Sequence, residues 1–403
     1  MTARRRRGGA LLLATACAGL LGWWWFGGRA EAETAAAGSA PAAAVSGAPF
    51  VAAAAAREAA SAASATAGAP LSALGQAQRR EQQALWQGRL ERARMALDGY
   101  RVSAQYPHES RPLAEHPDQV HPFEPIAEDR ALRMPGGSAT QGVHLKTTQE
   151  RVFASGSESS RVTLKLTDDN GRTLPLRVTR AVEKEVTPPG RTASTPEFAM
   201  PIADSDGVLS AVMQPAAQGF GGFAGTVRLE LMLDYAGQPG FIYFDLVYSP
   251  ETAAIWLPGV REASSAAGID FFVKAQVLQP GRYVVSARID DAKGQPLALA
   301  LFNGEMGAGT AEFRLPVFGK LLRDRQATFP LVVRDIEAFL LKPDTFPDRV
   351  MLPRRAGLQH TSRSYALASF SDAEWSSEER DRYLAELGRD VTVAEQKLKA
   401  LGP

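Results

Sequence analysis

The stretch Arg161-Val162-Thr163-Leu164-Lys165-Leu166-Thr167, followed by Asp168-Asp169-Asn170-Gly171 and then Leu174-Pro175-Leu176-Arg177-Val178, decides the fold class. Apolar and polar side chains alternate with a period of two, so each segment has one apolar face, and the acidic, glycine-containing break between them is turn chemistry. Together they predict a β-hairpin. The same pattern returns at Val227 to Leu233 and Phe241 to Tyr248, joined through Gly237 to Gly240. It returns again at Val284 to Asp290 and Leu297 to Phe302, joined through Asp291-Ala292-Lys293-Gly294, an echo of the first strand, Asp-Asp turn and strand. Phe313 to Phe318 and Leu331 to Leu341 supply further strands. Short strands punctuated by Gly and Pro predict a mainly β chain of tandem immunoglobulin-like β-sandwiches, the first over 138-250 and the second over 251-357.

The chain has 403 residues, too many for one ordinary domain, so several modules with linkers are expected. Lys and Arg number 45 against 44 Asp and Glu, which excludes a nucleic-acid binder working through bulk positive charge. The single cysteine, Cys17, excludes internal disulfides, cysteine zinc sites and iron–sulfur clusters. No cofactor is expected.

The flanks read differently. Arg4 to Arg7 precede an uncharged run from Ala10 to Phe26 that ends in Trp23, Trp24 and Trp25. Positive charge stays on the cytoplasmic side, so 1-29 is an export segment, and everything after Arg29 is expected beyond a bacterial inner membrane. The tryptophans suit a retained single-pass signal anchor, whereas Ala30-Glu31-Ala32 suits cleavage of a signal peptide and a secreted periplasmic product. Residues 30-75 are rich in alanine and lack recurring large apolar side chains, so they predict a disordered tether.

In 76-137, Trp86, Leu90, Ala93 and Leu97 form the apolar stripe of a helix ending near Gly99. Pro107, Pro112, Pro117, Pro122, Pro125 and Pro135 then exclude regular helix and predict an ordered strap across a folded surface. The last segment, 358-403, is helical. Ser371 with Glu374 reads as a capping box, Phe370 with Trp375 as its hydrophobic staple, and Leu384, Leu387, Val391, Ala394, Leu398 and Leu401 as a short seam. Neither amphipathic stripe can stand alone, so the carboxyl-terminal helix is expected to dock within the chain, on the β modules or on the first helix.

Gly281-Arg282-Tyr283-Val284-Val285 through Asp290-Asp291, then Phe318-Gly319-Lys320-Leu321-Leu322-Arg323-Asp324, Val333 to Leu341 and Pro347 to Pro353 resemble the bacterial envelope modules called choice-of-anchor X domains. The resemblance covers about residues 250 to 360 and extends weakly upstream to the strap at Tyr100. It implies an exported protein on an anchor. It brings no catalytic residues.

His108, His116 and His121 lie in the strap near Glu109, Glu115, Asp118 and Glu124 and are metal-capable, but their spacings of eight and five match no helix-based pattern such as HExxH. The acidic turns Asp168-Asp169-Asn170 and Asp290-Asp291 lack the further oxygen ligands of a calcium loop and are accounted for as turns. Gly219-Phe220-Gly221-Gly222-Phe223-Ala224-Gly225 is followed by a strand, not the helix a dinucleotide fingerprint needs, so it reads as an aromatic loop.

Phe220, Phe223, Trp256 and Phe302 are the candidate partner contacts. The leading expectation is a non-catalytic, envelope-tethered binding or structural protein that presents sandwich loops to an envelope protein or a glycan. The alternatives are a periplasmic hydrolase or metalloenzyme using the His strap, and an assembly factor that engages a partner through its terminal helices. An enzyme reporter that works only outside the cytoplasm, fused after Pro403, is predicted to be active; cytoplasmic activity would overturn the topology.

Overall fold

The computed structural model describes residues 72–133 and 139–402. The arginine block, the apolar run and nearly all of the alanine-rich segment lie outside the described residues. Among the described residues no helix is long and apolar enough to cross a membrane. The described chain is mainly β, with nineteen strands in antiparallel sheets, one parallel contact, and few helices.

The first sandwich faces two sheets toward each other. One has the order β2 (Ile126–Arg133), β3 (Ala139–Gln149), β5 (Ser160–Asp168), β9 (Val208–Met213) and β8 (Ala203–Ser205). The other has β4 (Phe153–Ser155), β11 (Gln238–Ser249), β10 (Gly225–Tyr235), β6 (Arg177–Glu185) and β7 (Phe198–Ala199). The alternation has its physical outcome here. Val162, Leu164 and Leu166 of β5 and Val227, Leu229 and Leu231 of β10 are wholly buried in one core, with the residues between them turned outward.

In the second sandwich β12 (Ala254–Ser265), β13 (Gly268–Val277) and β16 (Gly309–Phe318) form one sheet. The other is built from β1 (Ser110–Pro112), β15 (Pro296–Met306), β14 (Gly281–Asp290), β17 (Val332–Leu341) and β18 (Arg349–Met351), with β19 (Arg355–Thr361) also on β17.

The expected hairpin at Asp168 is not a hairpin. β5 pairs with β3 and β9, and β6 pairs with β10 and β7 in the opposite sheet. The turn closes with one bridge, Thr167 to Thr173, and a hydrogen bond from Leu174 N–H to Leu166 O at 2.8 Å. Pro175 then offers no donor to continue the ladder, and Leu174 and Leu176 pack on the core as the chain crosses over. Alternation specifies which face is buried, and that is equally true of a strand on either side of a sandwich.

The other two pairs are hairpins. β10 and β11 pair from Gly225↔Tyr248 to Tyr235↔Gln238, across Ala236 and Gly237 with φ of 53° and 78°, the left-handed pair that a tight hairpin turn of the right twist requires. Gly240 therefore lies in the strand and not in the loop. β14 and β15 pair across the Asp291 turn, whose carboxylate accepts from the N–H groups of Lys293 and Gln295. The two Asp-Asp motifs thus serve different topologies, a crossover and a hairpin.

The strap divides between the sandwiches. Ser110 to Pro112 adds a strand to β15, and Leu113 is fully buried against Leu299 and Leu301. From Ile126 the chain is already β2, so the first sandwich begins about a dozen residues before the expected boundary at 138 and is inserted between two strands of the second. Between the two, Ser155 Oγ accepts from Met351 N–H at 2.8 Å, and the Arg349 guanidinium lies 4.5 Å over the Phe153 ring.

Helix α1 (Ala73–Ser103) continues through Gly99, past its expected end. After a short α2 (Gly319–Asp324), α3 spans Glu378–Leu401. Its cap is Ser377, whose side chain accepts from Arg380 N–H, and not Ser371. Ser371 N–H instead donates to Ala266 O at 2.7 Å, and Phe370 is buried against Phe329 and Tyr365, which pins that segment in extended form. The acidic first turn, Glu378, Glu379 and Asp381, favours the later start.

α1 and α3 pair antiparallel. Gln83 Nε2 donates to Gly402 O at 2.7 Å, Arg94 pairs with Glu395 at 2.7 Å, the Tyr100 and Tyr383 rings meet at 5.7 Å, and Arg380 Nε donates to Ala104 O at 3.0 Å. Leu97 and Ala394 are buried between the helices, with the rest of both expected stripes half-buried. Leu97→Asp should destabilise this pair by about 2 kcal/mol or more. Hydrogen exchange should quicken throughout α1 and α3 and stay unchanged in β10 and β13; unchanged exchange in α3 would contradict the pairing.

Candidate binding surface

The strap histidines do not converge. His108 and His121 are exposed, and His116 ends a single helical turn with its Nε2 buried and without a hydrogen-bond partner. Among the described residues no group of three His, Cys, Asp or Glu is placed to hold a metal ion. In the acidic turns the carboxylates face protein donors. Asp168 accepts from the N–H groups of Asn170 and Arg172. Asp291 also accepts from Thr328 Oγ1, and buried Asp290 accepts from Arg288 at 2.7 and 3.0 Å.

The four expected partner contacts serve the cores instead. Phe220 is completely buried, and Phe223 is half-buried and edge-on to it at 6.4 Å. Trp256 and Phe302 lie half-buried against Phe313 at 5.8 and 5.3 Å, and the Trp256 Nε1–H donates to Pro353 O at 2.7 Å. A loop or strand aromatic next to an apolar core gains more from burial than from exposure.

The outward face of β10 and β11 holds what the sequence reading missed. Phe241 is 52% exposed, Tyr243 44% and Met232 42%. Met232 faces Phe241 across the ladder, Glu230 faces Tyr243, and Arg228 faces Asp245. The Phe241 and Tyr243 rings meet at 6.1 Å. The Arg228 guanidinium lies 3.9 Å over the Tyr243 ring and donates to both oxygens of Asp245, at 2.7 and 2.8 Å. Glu230 is held by Lys184 at 2.9 Å. The result is an exposed apolar patch with a polar rim whose charges are already paired. The usable signal was Asp245: it shares a face with Phe241 and Tyr243, and that marks the face as outer.

Two inward neighbours on β6, Glu183 and Glu185, are 0% and 5% exposed. Burial opposes ionisation of Glu185, but hydrogen bonds from the N–H and hydroxyl groups of Ser194 and Thr195, at 2.7 to 3.1 Å, outweigh it and hold the carboxyl below its ordinary range. Glu183 has no hydrogen-bond partner on either oxygen, and burial pushes it up to about 8. Both side chains share the inward face of the sandwich, so the pair is not an acid and base presented to a substrate.

In the second sandwich Glu262 collects His360 Nε2, Arg363 and the Tyr365 hydroxyl. Burial disfavours the charge, yet these donors hold the carboxyl down to about 2 and tie β12 to β19 and the chain after it. His144 bridges Asp129 and Asp169 at 3.1 and 3.0 Å, and its pKa is raised by hydrogen bonds to Asp169 and Asp129.

No family model matches the sequence, and no curated protein is similar to it. Among solved structures, a DUF4785 family protein from Legionella pneumophila is similar with a TM-score of 0.38 and 12% identity, over 54% of this chain and 57% of that one. The Escherichia coli adhesin FdeC is similar with a TM-score of 0.19 and 16% identity, over 52% of this chain and 63% of that one. This chain therefore spans less than two thirds of the length of either protein.

Glu183 sets a pH dependence. Its folded pKa of about 8 lies above the ordinary 4.5, so the folded state holds an extra proton between those values. Stability then falls as pH rises from about 4.5 through about 8 and levels off above, by an amount on the order of a few kcal/mol. Glu183→Gln should melt progressively higher than the unmodified chain across that window; a constant difference in Tm would show that the carboxyl does not titrate there.

Proposed function

We propose that this chain is a non-catalytic binding or structural protein of the bacterial envelope, held by its N-terminal segment at the inner membrane, with immunoglobulin-like sandwiches outside the cytoplasm. The choice-of-anchor X resemblance belongs to the same proposal. The observation that carries the binding role is the exposed Met232, Phe241 and Tyr243 patch on a rigid sheet. A protein partner fits it better than a glycan. Sugars stack on open aromatic faces, and Arg228 already covers one face of Tyr243.

The reading of an enzyme built on the His strap gains no support from side chains that stay apart. The reading of helices reaching for a partner is weakened because α1 and α3 turn their apolar stripes toward each other.

Phe241→Ser combined with Tyr243→Ser should leave Tm within about 2 °C, since both side chains are half exposed. The same variant should reduce cross-linked partner recovered from native membranes at least tenfold. Undiminished recovery would place binding elsewhere.

A further inference from the structure

The chain has two asparagines, Asn170 and Asn303, and each is followed by glycine. Glycine has no side chain to keep its main-chain nitrogen away from the residue before it, so an Asn-Gly step is where a backbone most readily attacks an asparagine side chain. The fold treats the two steps in opposite ways.

Asn170 and Gly171 form the exposed tip of the turn that leaves β5. Asp168 holds that turn. Its O accepts from Gly171 N–H at 2.9 Å, and its Oδ1 accepts from Asn170 N–H at 3.0 Å and Arg172 N–H at 2.9 Å. The Asn170 side-chain amide has no hydrogen-bond partner among the described residues, so it is free to rotate. Gly171 has φ of 77°, and nothing lies within 4 Å of the place a Cβ would take. The Gly171 nitrogen is restrained by a single turn hydrogen bond on an exposed residue, and such bonds open at a small fraction of the cost of unfolding.

Asn303 and Gly304 lie inside β15, laddered to Val284 and Tyr283 of β14. Asn303 Oδ1 accepts from Arg282 Nε at 2.7 Å, which ties the side chain to the neighbouring strand. The Phe302 ring closes the space over Gly304, 3.2 Å from where a Cβ would stand. Attack on this side chain requires the ladder to open first.

We infer that Asn170 is a site of spontaneous deamidation and that Asn303 is protected from it. The Gly171 nitrogen bonds to Cγ of Asn170, the bond from Cγ to Nδ2 breaks, and the side-chain nitrogen leaves as ammonia with the proton from Gly171 N–H. Water then opens the cyclic imide. Addition at Cγ gives aspartate on an ordinary backbone, and addition at the main-chain carbonyl gives isoaspartate, with the chain running through Cβ and Cγ. One water enters and one ammonia leaves, with no oxidation or reduction.

Both products add a negative charge beside Asp168 and Asp169. Isoaspartate does more, because its extra main-chain carbon falls between the two N–H groups that one oxygen of Asp168 holds together. Arg172 N–H is then out of step with Asp168, and the brace is lost next to the Thr167 to Thr173 bridge and the bond from Leu174 N–H to Leu166 O. These close the crossover between the two sheets of the first sandwich. Isoaspartate at 170 is therefore a chemical mark of age placed where the sandwich changes sheets.

The test is mass spectrometry of the purified full chain, incubated folded or in urea in mildly alkaline buffer and then cut with trypsin. Cleavage after Lys165 and Arg172 isolates Asn170, and cleavage after Lys293 and Arg314 isolates Asn303. A sample taken at zero time corrects for conversion during digestion. In the folded chain Asn170 should convert at least about tenfold faster than Asn303, and in urea the two rates should come within about threefold. An isoaspartyl methyltransferase, used as a reagent, should label the Asn170 peptide, and Asn170→Gln should remove that label. Hydrogen exchange at Arg172 and Leu174 should quicken in the aged chain and not in freshly made Asn170→Asp, which has the charge without the longer backbone.

Conversion of Asn170 no faster than Asn303 in the folded chain would overturn the site. The same ratio of rates in urea would show that local sequence, and not the fold, makes the choice. Conversion without methyltransferase labelling, or equal exchange in aged chain and Asn170→Asp, would overturn the effect on the crossover.

Discussion

Burial of one face of β13 against the sheet opposite is the interaction on which the rest depends. Ile269, Phe271, Val273, Ala275 and Val277 are at most 1% exposed, and they share a core with Tyr283, Val285, Ala287 and Ile289 of β14. Each Ile, Phe and Val among them contributes roughly 1.5–3 kcal/mol. A three-stranded sheet with that face open to water would not persist. The same core takes in Tyr106 from the strap and Phe370 from the segment before α3, so it fixes where both helices leave the β region. Tyr106 adds a hydrogen bond from its hydroxyl to Asp324 at 2.8 Å.

The period-two alternation made the mainly β class legible, and the seams of both helices were legible from their spacing. What the pattern could not carry was partnership. It gave the inward face of β5 and of β6 but not that they belong to different sheets, because pairing is a long-range choice. It read Ser371 and Glu374 as a cap, but a cap forms only where the backbone is free to turn, and there the N–H is held by Ala266 while Phe370 is held by the core. The aromatic candidates failed for a related reason. Phe220 and Phe223 stand among glycines in what reads as a surface loop, and the loop folds back over the core. Phe241 and Tyr243 lie in a strand apolar on both faces, where Asp245 was the only side chain that told the faces apart.

Charge states show the same limit more sharply. Glu183 and Glu185 are the same residue type, two positions apart, on one face of one strand. One carboxyl is held below its ordinary range and the other is pushed above it, because the chain at Ser194 and Thr195 returns over Glu185 and leaves Glu183 buried without a hydrogen-bond partner. Nothing local to β6 distinguishes them; the difference is made by a loop about ten residues downstream.

The insertion of the first sandwich between β1 and β12 has a mechanical meaning. A pull on the amino end of α1, resisted by something gripping β10 and β11, travels through the covalent strap that joins the helix to β2. That strap crosses the second sandwich on the way, where Ser110 to Pro112 is laddered to β15, Ser110 Oγ accepts from Phe318 N–H, and Arg288 donates to Val120 O. The load therefore falls along a laddered strand and its anchors, in shear, before it reaches the β2 edge. On the proposed reading the second sandwich acts as a strain relief, a cleat around which the line is turned before load reaches the face of β10 and β11.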